Sequence, residues 1–274
     1  MTLRRALVLA GGLAAGAAVR PAVAQVLPAQ SARYLLTTDA VDARALWVNP
    51  AGLARAVEAS VGADLTADRF FPGGAQISEY GLSLAGRGIA AAWEHERVPR
   101  LGSLNVYAVG IGLGDEQFSA GTTRRWYSGF ARASAWDAAA RVSSFDGTQW
   151  SLVVRNVGSP RLADSTYWAT LVPGAAVSLF KGVLQARGEW EVAPHTWRSI
   201  AYRAGGTVSL GHGLAVLLRV DLSPTFKRRA FVFALGFDAS GSRVGAFTQA
   251  SGGASEVDAV GLAGAFVTRG APPR

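Results

Sequence analysis

From residue 56 onward, apolar and polar residues alternate along the chain with a period of two. Val57, Ala59, Val61, Ala63 and Leu65 point one way, while Glu58, Ser60, Gly62 and Asp64 point the other. Successive side chains of an extended backbone leave on opposite faces, so this spacing predicts a strand with one apolar face. The pattern returns downstream. Leu184, Ala186, Gly188, Trp190 and Val192 oppose Gln185, Arg187, Glu189 and Glu191. Leu214, Val216, Leu218, Val220 and Leu222 oppose Leu217, Arg219, Asp221 and Ser223, and Phe231, Phe233, Leu235 and Phe237 oppose Ala230, Val232, Ala234 and Gly236.

Followed along the chain, the alternation predicts fourteen strands, near 56–66, 75–85, 88–97, 103–113, 116–125, 135–144, 148–157, 169–180, 182–192, 198–210, 213–223, 227–238, 242–250 and 256–268. The separators "FPGG", "AGRG", "FKG", "LGHG" and "DASGS" carry hairpin-turn chemistry. No intervening segment has the length and helical spacing of a crossover helix, so neighbouring strands are expected to be antiparallel.

Periodicity alone leaves open which face is wet. A soluble sandwich buries its apolar face, whereas a membrane barrel turns it to lipid and lines its lumen with polar or small residues. Three features favour the barrel over a secreted sandwich. The predicted strands match the roughly 9–11 residues that cross a bilayer at a tilt, where ordinary strands have about five or six. Trp93, Trp136, Trp150, Trp168, Trp190 and Trp197 fall near predicted strand ends, as an interfacial girdle requires. The face opposite the apolar one carries Arg141, Arg155, Arg187, Glu189, Arg203, Arg219 and Asp221 at mid-strand. In a dry core each unpaired charge would cost several kcal/mol, but in a hydrated lumen such residues pair and hydrate. The expectation is an all-β fold, a transmembrane antiparallel β-barrel of about 14 strands formed by residues 56–268.

Composition adds an address and removes some chemistry. Arg4 and Arg5 precede the apolar run Ala6 to Val19, and the small residues Ala22-Val23-Ala24 follow. Residues 1–24 therefore read as a secretory signal peptide cut before Gln25. The run is shorter than the roughly 18–20 residues of a spanning helix. The absence of cysteine excludes a disulfide scaffold and thiolate zinc sites, and three histidines make a poor basis for a metal enzyme. The formal net charge is +8, which falls to about +5 without the three leader arginines. The tight basic groups are Arg124-Arg125 and Lys227-Arg228-Arg229, neither on a recognisable DNA-binding helix, so no nucleic-acid partner is expected.

Immediately before the first strand stands "ALWVNPAGLA", Ala45 to Ala54. Asn49 is suited to cap a short helical turn whose first position is Pro50, where a missing N–H costs nothing. Ala51 and Gly52 keep the turn slim, and Trp47 and Leu53 are its apolar anchors. Gly62, Ala234, Gly236, Ala263 and Ala265 are the small residues expected to receive it. At mid-chain lies "SLVVRNVGSPRL", Ser151 to Leu162.

Together, "DARALWVNPAGLA" ahead of the first strand and the Arg-Asn-x-Gly-x-Pro turn resemble the FadL-like outer-membrane transport superfamily, which includes PorV-type barrels. The resemblance implies that residues 25–55 form a short N-terminal hatch, with Trp47, Asn49, Pro50, Gly52 and Leu53 plugging the barrel, and that 269–274 are a tail. It further implies a place in the bacterial outer membrane, among outer-membrane lipid and served by the barrel-assembly machinery. The implied function is passive uptake of small hydrophobic or amphipathic molecules, without enzyme activity, cofactor or metal. The alternatives are a PorV-like partner-binding barrel of a secretion or surface-attachment system, or a structural barrel. The chain departs from the pattern in its short loops, in Gly264 where the last strand usually holds a bulky apolar residue, and in its non-aromatic C-terminus.

Other motifs reduce to strand geometry. In "VGIGLGDE", Asp115 holds the slot of the third glycine of a dinucleotide loop, so Gly110, Gly112 and Gly114 read as lumen-facing strand residues. In "WEHERV", alternation sends Glu94 and Glu96 to one face and His95 to the other, which does not make a metal clamp. His195 and His212 lie in turns, with no serine and acid at triad spacing.

Overall fold

The computed structural model describes residues 32, 34–56, 58–68, 74–239, 242–250 and 257–268. The expected leader 1–24 and tail 269–274 lie outside the described residues. Strands β1 (Ala59–Asp68), β2 (Gln76–Gly86), β3 (Ile89–Val98), β4 (Gly102–Gly114), β5 (Phe118–Gly129), β6 (Ala133–Ser143) and β7 (Thr148–Val157) follow one another. An excursion carrying β8 (Arg161–Leu162) and β9 (Ser165–Thr166) leads to β10 (Thr170–Leu179) and β11 (Leu184–Ala193). Then come β12 (Arg198–Gly211), β13 (Leu214–Leu222), β14 (Arg228–Ala239), β15 (Ser242–Ala250) and β16 (Ala259–Thr268).

All but β8 and β9 join one closed antiparallel barrel of fourteen strands. β1 pairs with β16 to seal it, with Ala59 opposite Thr268 and Asp68 opposite Ala259. Closure leaves no strand edge with unpaired backbone groups, the condition for a sheet to sit in hydrocarbon. Each of the fourteen strands expected from the alternation overlaps one barrel strand. The β8–β9 hairpin was not expected, because strands of two residues are too short to display a period.

The two faces are inverted relative to a soluble sheet. Val61, Leu82, Leu84, Ile89, Val109, Ile111, Leu113 and Leu262 are exposed outward. Their neighbours in sequence, Gly62, Ser83, Ala90, Ala108, Gly110, Gly112 and Ala263, are buried inward. Soluble monomers rarely leave contiguous apolar patches beyond about a few hundred Å². An exterior like this one is suited to lipid. Trp136, Trp150, Trp168, Trp190 and Trp197 are exposed. Trp93 is half-buried and its indole N–H donates to Asn105 Oδ1 at 3.3 Å.

The two ends differ. At one, hairpins close on the short turns 87–88, 115–117, 144–147, 180–183 and 212–213; at the other lie the connections 99–101, 130–132, 194–197 and 223–227 and the long one, 158–169. The short turns are locally stiffened. Asp115 accepts the N–H groups of Phe118 at 2.9 Å and Gln117 at 2.8 Å, which hold its carboxyl below the ordinary range.

The N-terminal segment lies inside the barrel and joins β1 at the short-turn end. Residues 45–48 form a one-turn helix, α1 (Ala45–Val48), followed by a 3₁₀ turn at Pro50–Arg55 that packs on β3, β4, β5 and β6. Ala40, Ala43, Ala45, Leu46, Val48 and Leu53 form a buried cluster with Ala85, Ala90 and Ala108 of the wall. This cluster is therefore largely supplied by the segment inside the barrel.

If Val109 faces lipid, V109R puts a guanidinium into hydrocarbon and should cost about 2–4 kcal/mol in vesicle-embedded protein unfolded with urea. Unchanged stability would mean that this face is wet.

Candidate functional site

The lumen contents are built around Asn49. Its Oδ1 accepts the N–H of Ala51 at 3.0 Å, capping the 3₁₀ turn, and its Nδ2 donates to the carbonyl of Thr37 at 2.6 Å. Pro50 occupies the first position of that turn. One side chain thus closes the turn and pins the segment twelve residues earlier.

Fit against the wall depends on missing side chains. A Cβ on Gly121 of the wall would run into the Pro50 carbonyl, whereas one on Gly52 would run into the Ala40 carbonyl, within the segment's own fold. Gly110 lies under Leu46 and Leu53, and Gly112 lies under Leu53 and Ala54. The glycines that imitate a nucleotide loop in sequence are thus the floor on which the turn rests. This wall is not the one expected from the sequence. A Cβ on Gly236 would meet nothing, while Gly62, Ala263 and Ala265 surround Asp42, Arg44 and Trp47 instead. Sequence order cannot say which sector of a closed sheet an inward loop will touch. Leu53 is fully buried, whereas Trp47 is half-buried between two apolar clusters.

Charged groups tie the segment to the opposite sector. Glu189 accepts the N–H of Thr37 at 2.9 Å and Nη1 of Arg203 at 2.7 Å. Thr37 accepts from the Ser151 hydroxyl at 2.8 Å, close over Gly174. Arg187 pairs with Asp39 at 2.9 Å. Burial raises the Asp39 carboxyl above its ordinary value, opposed by Arg187 and the Leu36 N–H. Arg219 reaches the Leu35 carbonyl at 3.4 Å and Asp221 at 2.8 Å. Tyr34 and Asp42 both contact Arg44.

The sequence places Arg187 beside Glu189 and Glu191, and Arg219 beside Asp221. In space Arg203 bridges the acids, at 2.7 Å from both Glu189 and Glu191 and 4.0 Å from Asp221, while Arg187 turns to the segment. Arg141 is buried further along the lumen and donates to Gln149 at 2.6 Å. Arg155 donates to the Val48 carbonyl at 3.2 Å. That bond joins the two stretches "ALWVNPAGLA" and "SLVVRNVGSPRL".

Some residues were missed in sequence. Arg125 pairs with Asp137 at 2.6 Å and donates to Asn156 at 3.0 Å. Alternation could have separated Arg124, which packs outward over the Trp126 and Trp136 rings at 5.1 Å, from the inward Arg125. Asp64, Glu79 and Glu94, on three adjacent strands, bring carboxylate oxygens within 4.8 Å of one another. Of the described residues this is the grouping with metal-ligand types. It depends on the register of β1, β2 and β3, which no single strand reveals.

Above the segment, toward the long-loop end, remains a cavity of about 280 Å³. Its floor is Leu35, Trp47 and Val48, and its wall includes Arg125, Arg155, Arg203, Arg219 and Arg229 facing Glu189, Glu191 and Asp221. Tyr127, Tyr167 and Leu162 of the β8–β9 hairpin complete an amphipathic lining.

The same architecture is found in bacterial proteins of known structure. The toluene transporter TbuX of Ralstonia pickettii superposes with a TM-score of 0.57 at 9% identity, covering 83% of this chain and 93% of that one. The P. putida toluene transporter TodX gives 0.54 at 10% identity, covering 82% and 93%. The outer membrane protein Omp33 of Acinetobacter baumannii gives 0.50 at 8% identity, covering 77% and 98%. These likenesses show the fold. No family profile matches the sequence, and no curated protein matches it.

Because Gly121 lies against Pro50, G121V should push the 3₁₀ turn off the wall at a cost of about 1–3 kcal/mol. Trypsin cleavage after Arg44 should accelerate in the folded barrel. Cleavage at the parental rate would show that the turn does not dock there.

Proposed function

We propose that this chain is a channel of the bacterial outer membrane whose N-terminal segment plugs the lumen, admitting small amphipathic solutes by passive diffusion. The observation that carries the reading is the docked segment itself. Asn49 folds the segment on itself, and three bonds to the wall hold it across the barrel: Thr37 N–H donates to Glu189, Ser151 donates to Thr37, and Arg155 donates to the Val48 carbonyl, with a vestibule above it. The apolar exterior, the aromatic residues at strand ends and the shared fold of two toluene transporters support a membrane location and a transport role.

Of the two solute types implied by the FadL-like resemblance, the vestibule favours the amphipathic one. A purely apolar molecule would have to displace water from arginines and carboxylates without replacing their hydrogen bonds. A solute with one polar group and a small apolar body can engage the charged wall and rest on Trp47 and Val48. In this reading the protein performs no chemistry and uses no cofactor. The cavity supports a solute channel more directly than a PorV-like partner-binding role, which would place its contacts on outer loops.

Passage requires the segment to move. On the Glu189 side the contacts are polar: the hydrogen bonds of Thr37 each contribute about 0.5–1.5 kcal/mol net, and the buried Arg187–Asp39 pair is the costlier one to break. Partial release from the Glu189 side would open a path while the 3₁₀ turn stays anchored over Gly112.

Deleting residues 37–56 should leave a heat-modifiable barrel and raise its single-channel conductance in planar bilayers severalfold. An intact barrel with unchanged conductance would show that the segment is no plug.

A further inference from the structure

We propose that the long-loop end of the barrel, centred on Arg198, Lys227 and Arg228, is a docking surface for the phosphate-bearing headgroup of a glycolipid in the leaflet it faces. The proposal rests on the membrane reading above, and concerns a rim that the solute path does not use.

The first observation is a charge asymmetry between the two ends. Among the described residues exposed at the long-loop end, eight are basic and one, Asp164, is acidic. Four of the eight, Arg97, Arg100, Arg132 and Arg161, are spread over the loops and strand ends from β3 to β8. The others are Arg198 and the run Lys227-Arg228-Arg229. At the short-turn end the exposed described charges lean the other way. Glu58, Asp115, Glu116, Asp146 and Asp238 stand against Arg55, Arg87 and Lys181. Charge placed only for solubility would not separate by end. A separated basic rim at headgroup depth attracts anionic lipid.

The second observation is an aromatic column beneath the densest part of that rim. Phe226 stacks on Tyr202 with centroids 4.8 Å apart and planes at 12°, and Tyr202 stacks on Trp190 at 6.3 Å and 10°. Phe226 and Trp190 are exposed. The column is fixed by the indole N–H of Trp190 donating to Ser199 Oγ at 3.1 Å, and by the Ser199 and Tyr202 hydroxyls at 3.0 Å. Arg229 donates to the Ile200 carbonyl at 3.2 Å, which brings the Lys227-Arg228-Arg229 run against the start of β12 where Arg198 lies.

Cations that adjoin an aromatic column in sequence and along the strand ends match a ligand with phosphates on a sugar. The phosphates meet Arg198, Lys227 and Arg228, and the apolar ring faces and acyl chains lie along Phe226, Tyr202 and Trp190. A plain phospholipid supplies the phosphate but no sugar ring for the aromatic column.

The test uses the full chain in detergent micelles, checked as a heat-modifiable barrel, with binding read by native mass spectrometry. The probes are bisphosphorylated lipid A, its dephosphorylated form and phosphatidylglycerol. The bisphosphorylated form should bind at least about tenfold more tightly than the dephosphorylated one, and R198Q/K227Q/R228Q should abolish the difference. D115N/E116Q, at the other end, should retain it. Equal binding of the two lipid A forms, or an unaffected triple variant, would overturn the site. Phosphatidylglycerol binding as tightly as bisphosphorylated lipid A would overturn the glycolipid assignment. If the triple variant does not fold, the parental protein decides, since raising salt from 0.05 to 0.5 M should weaken bisphosphorylated lipid A by about fivefold or more. A salt-independent affinity would contradict the proposal. Failure of the parental chain to form a heat-modifiable barrel would instead overturn the membrane reading.

Discussion

The carboxylate of Glu189 sits where the barrel wall meets the chain inside it. One oxygen accepts the backbone N–H of Thr37 and the other accepts Arg203. Arg203 in turn holds Glu191 and approaches Asp221, and Asp221 holds Arg219, which reaches back to the Leu35 carbonyl. Removing one member of a buried charge network leaves its partner without compensation, typically at greater cost than the net value of the pair. The inner face can therefore carry its charges because they are shared among β11, β12, β13 and the N-terminal segment.

The outer face meets the opposite requirement. Its leucines, valines and isoleucines cannot be covered from within, since the strands use their other face for the lumen. A closed sheet with an apolar exterior and a charged interior is stable only if lipid covers the outside and the inside is filled or wet. The segment fills the short-turn half, and the remaining vestibule lies toward the long loops. The slim 3₁₀ turn and the glycines of β4 and β5 fit each other for this reason. With a larger side chain at Gly112 or Gly121 the backbones of wall and turn could not approach.

The strands were legible because alternation is a local property, repeated over nine or more residues in every barrel strand. The inward direction of Arg187, Glu189, Arg219 and Asp221 followed from the same parity. Pairing did not. That Arg187 chooses Asp39, that Arg125 chooses Asp137, and that Asp64, Glu79 and Glu94 converge all depend on inter-strand register and on where the segment lies. Asn49 and Pro50 announced a capped turn in sequence, but the sector of wall beneath it emerged only from the closed sheet. The functions assigned to these residues rest on geometry that the sequence could not supply.

The plugged lumen depends on the N-terminal segment lying inside a closed barrel with Thr37 against Ser151. The chain contains no cysteine, so a single engineered pair reports on this contact without background. T37C/S151C protein, refolded into vesicles and checked by heat-modifiable mobility, should form an intramolecular disulfide under mild oxidation, since the two hydroxyls lie 2.8 Å apart. Two thiols that both remain freely alkylated in the folded barrel would contradict the account.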